Sequence, residues 1–140
     1  MTDNELGVIE PITVLICDDI RIENNGKALL IGVYSDAIAI SDFPANLKLS
    51  FWTTIEVLKV GSASTFQFRV MHGPDENIIA EMKGEFQTKR LGVVSFDMGS
   101  IPFQCEKAGW IELQYLNDDE KWIPVVRKMI ISIESISSIE

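Results

Sequence analysis

Between Leu47 and Val57 the apolar residues Leu47, Leu49, Phe51, Ile55 and Val57 take the odd positions, while Lys48, Ser50, Thr54 and Glu56 take the even ones. Successive side chains of a strand point to opposite faces, so this alternation predicts a half-buried β-strand. Leu58 and Val60 change parity ahead of Gly61-Ser62-Ala63, which predicts a bulge or the strand's end before a turn. Phe66, Phe68 and Val70 repeat the period. After the HGPDEN turn, Ile78, Ala80, Met82 and Phe86 form the inner face of a second strand, antiparallel to the first. Val94, Phe96 and Met98 continue the pattern, and Ile111, Leu113 and Tyr115 alternate against Glu112 and Gln114.

The NDDE turn then returns the chain through KWIPVV, and pairing Asn117 with Glu120 would set Tyr115 opposite Trp122. Pro124 has no amide proton for a ladder, so it belongs at an edge or a bulge. Counting the MIISIESISSIE tail, roughly eight to ten strands are separated by turn signals every 8 to 12 residues or so. The expectation is an all-β, antiparallel β-sandwich, broadly immunoglobulin-like, with little helix. It forms a single domain over 1–140, with residues 1–11 and 135–140 as loose termini.

The first hairpin raises a chemical question. Ile12, Val14, Ile16, Ile20 and Ile22 share one parity, and Asp18 interrupts that face; Asp19, Arg21 and Glu23 take the other. Asn25-Gly26 suits a two-residue type I′ turn, which pairs Asn24 with Lys27 and sets Asp18 against Val33 and Asp19 against Gly32. In a regular strand the adjacent acids point apart and cannot hold one ion. Arg21 is then the ion-pair partner of Asp19 in the space above Gly32. Asp18, on the apolar face, would lose several kcal/mol of hydration unless it finds donors. It is read as a buried anchor held by backbone N–H groups where the strand breaks and crosses between sheets.

At 140 residues the chain suits one domain that buries a core without disulfides or metals. Acidic residues outnumber basic ones 21 to 12, a formal charge of -9 that disfavours nucleic acid as a partner. The basic pairs Lys89-Arg90 and Arg127-Lys128 are read as solvation or ion-pair partners. With no secretory signal pattern and no apolar run of about 20 residues, no membrane contact is expected and residence is cytoplasmic. Cys17 and Cys105 then stay as two buried thiols rather than a bridge.

His72, the only histidine, sits at a strand end with no nucleophile marked beside it in sequence. No phosphate-binding, serine-hydrolase or metalloprotease motif is present, so no catalytic residue, cofactor or metal is expected. Asp36, Asp42, Asp118, Asp119 and Glu120 could serve calcium, but acids also occupy turns for backbone reasons, and the turn reading is preferred. Trp52 lies on the polar side of its strand. It either packs beneath a loop or the rim of the other sheet, or it offers a partner surface or a sugar-stacking platform.

The segment CDDIRIENNGKALLIGVY, through Cys17, Asp18, Asp19, Ile20, Arg21, Gly26-Lys27, Gly32 and Tyr34, resembles the opening of an uncharacterised family of small bacterial and phage-borne proteins. GWIELQYLNDDEKW is similar to that family's glycine-aromatic strand and hairpin. The resemblance implies a compact β-sandwich, no established activity and no catalytic residues. The functional expectation is a non-enzymatic module working through protein contacts or self-assembly, since Trp52, Leu58 and Val60 exceed what one core covers. Alternatives are a carbohydrate- or calcium-binding module, and a hydrolase using Asp18 and Asp19.

Overall fold

The computed structural model describes residues 9–57, 64–86, 91–117 and 119–133. These hold nine strands: Ile9–Ile22 (β1), Ala28–Val33 (β2), Ala37–Ile40 (β3), Ala45–Val57 (β4), Ser64–Gly73 (β5), Asn77–Phe86 (β6), Gly92–Cys105 (β7), Gly109–Leu116 (β8) and Trp122–Ser132 (β9). They form a four-stranded sheet in the order β2-β1-β4-β7 and a five-stranded sheet in the order β3-β9-β8-β5-β6. The expected all-β sandwich is the observed architecture. One strand departs from the antiparallel expectation, because β3 runs parallel to β9. Parallel neighbours need a long connection, which the chain from β4 to β8 supplies. Residues 9–11, expected to be loose, pair with Ile55–Val57 and belong to β1.

The alternation seen in the sequence places the core. Ile16, Leu49 and Phe51 from one sheet meet Phe68, Val70, Ile111, Leu113 and Ile130 from the other. Phe68 of β5 meets Phe96 of β7 edge to face across the gap, with centroids 6.5 Å apart. Among the described residues four bulges adjust the parity. In β7, Met98 and Gly99 together oppose Phe51, so the inner face passes from Phe96 and Met98 to Ile101, Phe103 and Cys105. Val94 stays exposed at the strand's start. An extra residue at Ile79 turns Ile79 inward and leaves Ile78 exposed, reversing the expected assignment. Val125 is bulged beside Pro124, and β3 reaches only Met129–Ser132 of β9, so Pro124 sits at both a bulge and an open edge. The fourth bulge, at Ile12, separates Pro11 from Thr13 against β4.

Both tight hairpins are one residue out of the expected register. Glu23 N–H donates to Lys27 O at 2.8 Å and Gly26 N–H to Glu23 O at 2.9 Å, closing a three-residue loop with Gly26 at φ +86°. Within this loop only Gly26 takes a positive φ. Asn25 instead accepts the Lys27 amide on its side chain at 3.0 Å, so the two-residue type I′ turn is not made. The second hairpin repeats the backbone closure, with Asn117 N–H donating to Lys121 O at 2.9 Å, Glu120 N–H to Asn117 O at 3.0 Å and Glu120 at φ 60°; here the closing Asn117, not a loop residue, accepts the Asp119 and Lys121 amides on Oδ1 at 2.9 Å. Tyr115 therefore faces Ile123, and Leu116 faces Trp122. The segment Leu58–Ala63, the pair Lys89-Arg90, Asp118 and the termini 1–8 and 134–140 lie outside the described residues.

Candidate functional site

The shifted register decides what the two acids do. Asp19 pairs with Ile31 and Arg21 with Leu29, while Asp18 comes against Gly32. Gly32 takes φ +69°, and a Cβ placed there would overlap the Asp18 carboxylate, 2.9 Å from Cγ. The space left by Gly32 thus belongs to Asp18, not to Asp19. Asp19 does hold Arg21, with Nε donating to Oδ2 at 3.2 Å, and its Oδ1 accepts the Ile20 amide at 2.9 Å. This exposed ion pair adds little stability.

Asp18 is exposed rather than buried, and its donor is a side chain. The Tyr34 hydroxyl donates to Asp18 Oδ1. β1 runs unbroken through both acids with a constant register against β2, so no strand break or sheet crossing occurs at Asp18. The crossing comes after Val33, where the chain leaves β2 for β3 in the other sheet. Tyr34 sits on it, with its amide donating to Ile16 O at 2.9 Å, and Lys128 Nζ of β9 donates to Ser35 O at 2.7 Å. Asp18 therefore pins a crossing, but a neighbouring one and through a phenol. Burial, then the Asp18 hydrogen bond and charge, pushes the Tyr34 hydroxyl up to about 12.

Around this hairpin the outer face of the four-stranded sheet sets exposed apolar side chains beside the Asp19-Arg21 ion pair. Leu29, Ile31 and Val33 of the edge strand β2 are 48%, 37% and 44% exposed, and Leu15 of β1 is exposed as well. Trp52 lies on the same face, half-buried, opposite Leu15 on one side and Asp97 on the other. Beneath this layer Cys17 is buried with Ser50. Burial pushes the Cys17 thiol up, and the carboxylates of Asp97, Asp18 and Asp19 add to the shift against a hydrogen bond to Asp19 O. A raised thiol is a poor nucleophile.

Cys105 is also free and buried, as expected of both thiols. Its Sγ lies 3.7 Å from His72 Nε2, so the fold places a thiol beside the lone histidine that the sequence left without one. Burial raises the thiol and lowers the imidazole, which favours a neutral pair over a thiolate-imidazolium.

The opposite outer face, on the five-stranded sheet, holds an array that alternation alone assigns to solvent. Glu112 is only 4% exposed. Its carboxylate accepts from Arg127 Nε at 2.7 Å and from Gln114 Nε2 at 2.6 Å, and Gln114 Oε1 accepts from Arg69 Nε at 2.7 Å. The guanidiniums of Arg127 and Arg69 lie 4.3 and 4.1 Å from the ring centroids of Trp110 and Trp122. Arg127, read as an ion-pair partner, is one. Beside this array an open groove of about 670 Å³ is lined by Thr65, Gln67, Lys83, Glu85, Leu116 and Asn117 among others. Among the described residues no group of three or more His, Cys, Asp or Glu could hold a metal ion. Asp42 uses its carboxylate on the Phe43 amide at 2.8 Å, in keeping with a turn role. No described helix is long and apolar enough to cross a membrane.

Comparison with curated proteins gives no match. A family model covers residues 12–124, from the body of β1 into β9, and the chain belongs to that family, the family of unknown function DUF6941.

Proposed function

We propose that the protein is a non-enzymatic β-sandwich module acting through protein-protein contacts made by the outer face and free edge of its four-stranded sheet. The observation that carries this reading is β2. It is an edge strand with neither charge nor proline, and Leu29, Ile31 and Val33 stand exposed along it. Exposed apolar edges invite pairing with another strand, and proteins that do not use them protect them with charge, proline or bulges. Two buried, unbridged thiols support residence in a reducing compartment such as the cytoplasm. The test is a photo-crosslinking amino acid at position 31, with position 78 on β6 of the other sheet as control. Protein adducts from position 31 and not from position 78 are expected, and the reverse pattern would overturn the assignment.

A second reading, a small polar ligand such as a saccharide, has the open groove in its favour. Its wall includes Leu116, the cross-strand neighbour of Trp122. Glycan-array binding lost on Gln67→Ala would move the assignment to that face.

A further inference from the structure

We infer that the partner of β2 is the β2 of a second copy, paired antiparallel about a two-fold axis near Ile31; this rests on the contact reading above. The four sheet edges differ in how they are protected. β6 exposes Glu81, Lys83 and Glu85 along its length. β7 carries Pro102 and the Met98-Gly99 bulge, and β3 is only 4 residues long. β2 has 6 residues and none of these charges or prolines.

The strand is also complementary to itself. With Ile31 facing Ile31 of the second copy, Leu29 faces Val33 and Val33 faces Leu29, so all three outward residues meet apolar partners. Such a contact is isologous and closes at two copies, joining two four-stranded sheets into one. Charge complements it at both ends. Lys27 precedes β2 and Asp36 follows it, both exposed, and neither makes an ion pair among the described residues. In this register Lys27 falls opposite Ser35 of the second copy, next to its Asp36. The two-fold makes that pairing twice. It selects the antiparallel arrangement, since a parallel one would set Lys27 against Lys27 and Asp36 against Asp36.

Sedimentation equilibrium at about 150 mM salt over a wide concentration range tests the inference. Reversible dimerisation is expected for the wild type. Ile31→Lys, folded by its circular dichroism, should raise the dissociation constant at least about tenfold. Lys27→Asp and Asp36→Lys should each weaken the dimer, and the double variant should restore it. A dimer untouched by Ile31→Lys, or a double variant weaker than either single, would overturn the pairing. A wild type that stays monomeric while position 31 crosslinks a different protein would sink self-pairing and leave the contact surface standing. A monomer with no adduct at position 31 would sink both.

Discussion

Replacing Gly32 by alanine should reveal how tightly Asp18, Tyr34 and β2 are coupled. Two costs arise. An L-residue at φ +69° carries a left-handed penalty of about 1–2 kcal/mol. The new methyl also overlaps the Asp18 carboxylate, which must swing away from the Tyr34 hydroxyl. A hydrogen bond to a charged group contributes about 1.5–3 kcal/mol, and exposure of Asp18 brings this nearer 1. Gly32→Ala should therefore destabilise the fold by about 2–3 kcal/mol. In an Asp18→Ala background the carboxylate is gone and only its Cβ remains, at 3.2 Å, which a small shift relieves. There the same substitution should cost about 1–2 kcal/mol, a coupling of about 1. Urea unfolding followed by tryptophan fluorescence, with constant m-values, measures all four corners of the cycle. An equal cost in both backgrounds would refute the proposed clash.

Three further outcomes follow from single groups. Tyr34, held protonated up to about 12 against an ordinary 10, should ionise late in an absorbance titration at about 295 nm. The unfolded chain loses that proton first, so its stabilisation is complete below pH 10 and fades as pH rises to about 12; Tyr34→Phe should flatten the decline. Burial, aided by Lys107 and opposed by Asp75, lowers His72, so its single imidazole resonance should titrate below 6.5. The unfolded state then takes the proton first, and the stability tied to the neutral ring is present above pH 6.5 and lost as pH falls through the folded value; His72→Gln should reduce the loss in thermal melts from pH 7.5 to 5.5. Thr53 Oγ1 is buried in the core without a hydrogen-bond partner, so Thr53→Val should raise stability by about 1 kcal/mol in the same urea assay.

Alternation made the strands legible because most of them bury one face. It failed where a bulge resets parity. Ile78 and Ile79 exchange roles across one inserted residue, and nothing in IIAEM marks which of them is extra. Asn25-Gly26 marked the turn but not its length. Asn25 meets the demand on the backbone with its side-chain oxygen, and that single choice moved Gly32 from Asp19 to Asp18. Glu112 read as solvated because its coverage comes from Arg127 and Gln114, and the opposition of Glu112 and Arg127 is known only once β8 and β9 are in register. The edge position of β2, on which the functional reading depends, is a property of sheet order that no local pattern encodes.

Amide hydrogen exchange across Ala28–Val33 at low and high protein concentration tests the central claim most directly, because an edge strand that acquires a partner gains ladder hydrogen bonds. Protection in β2 should grow with concentration while β6 stays constant, and should be lost in Ile31→Lys. Exchange in β2 that is independent of concentration, or protection that grows in β6 instead, would contradict the pairing.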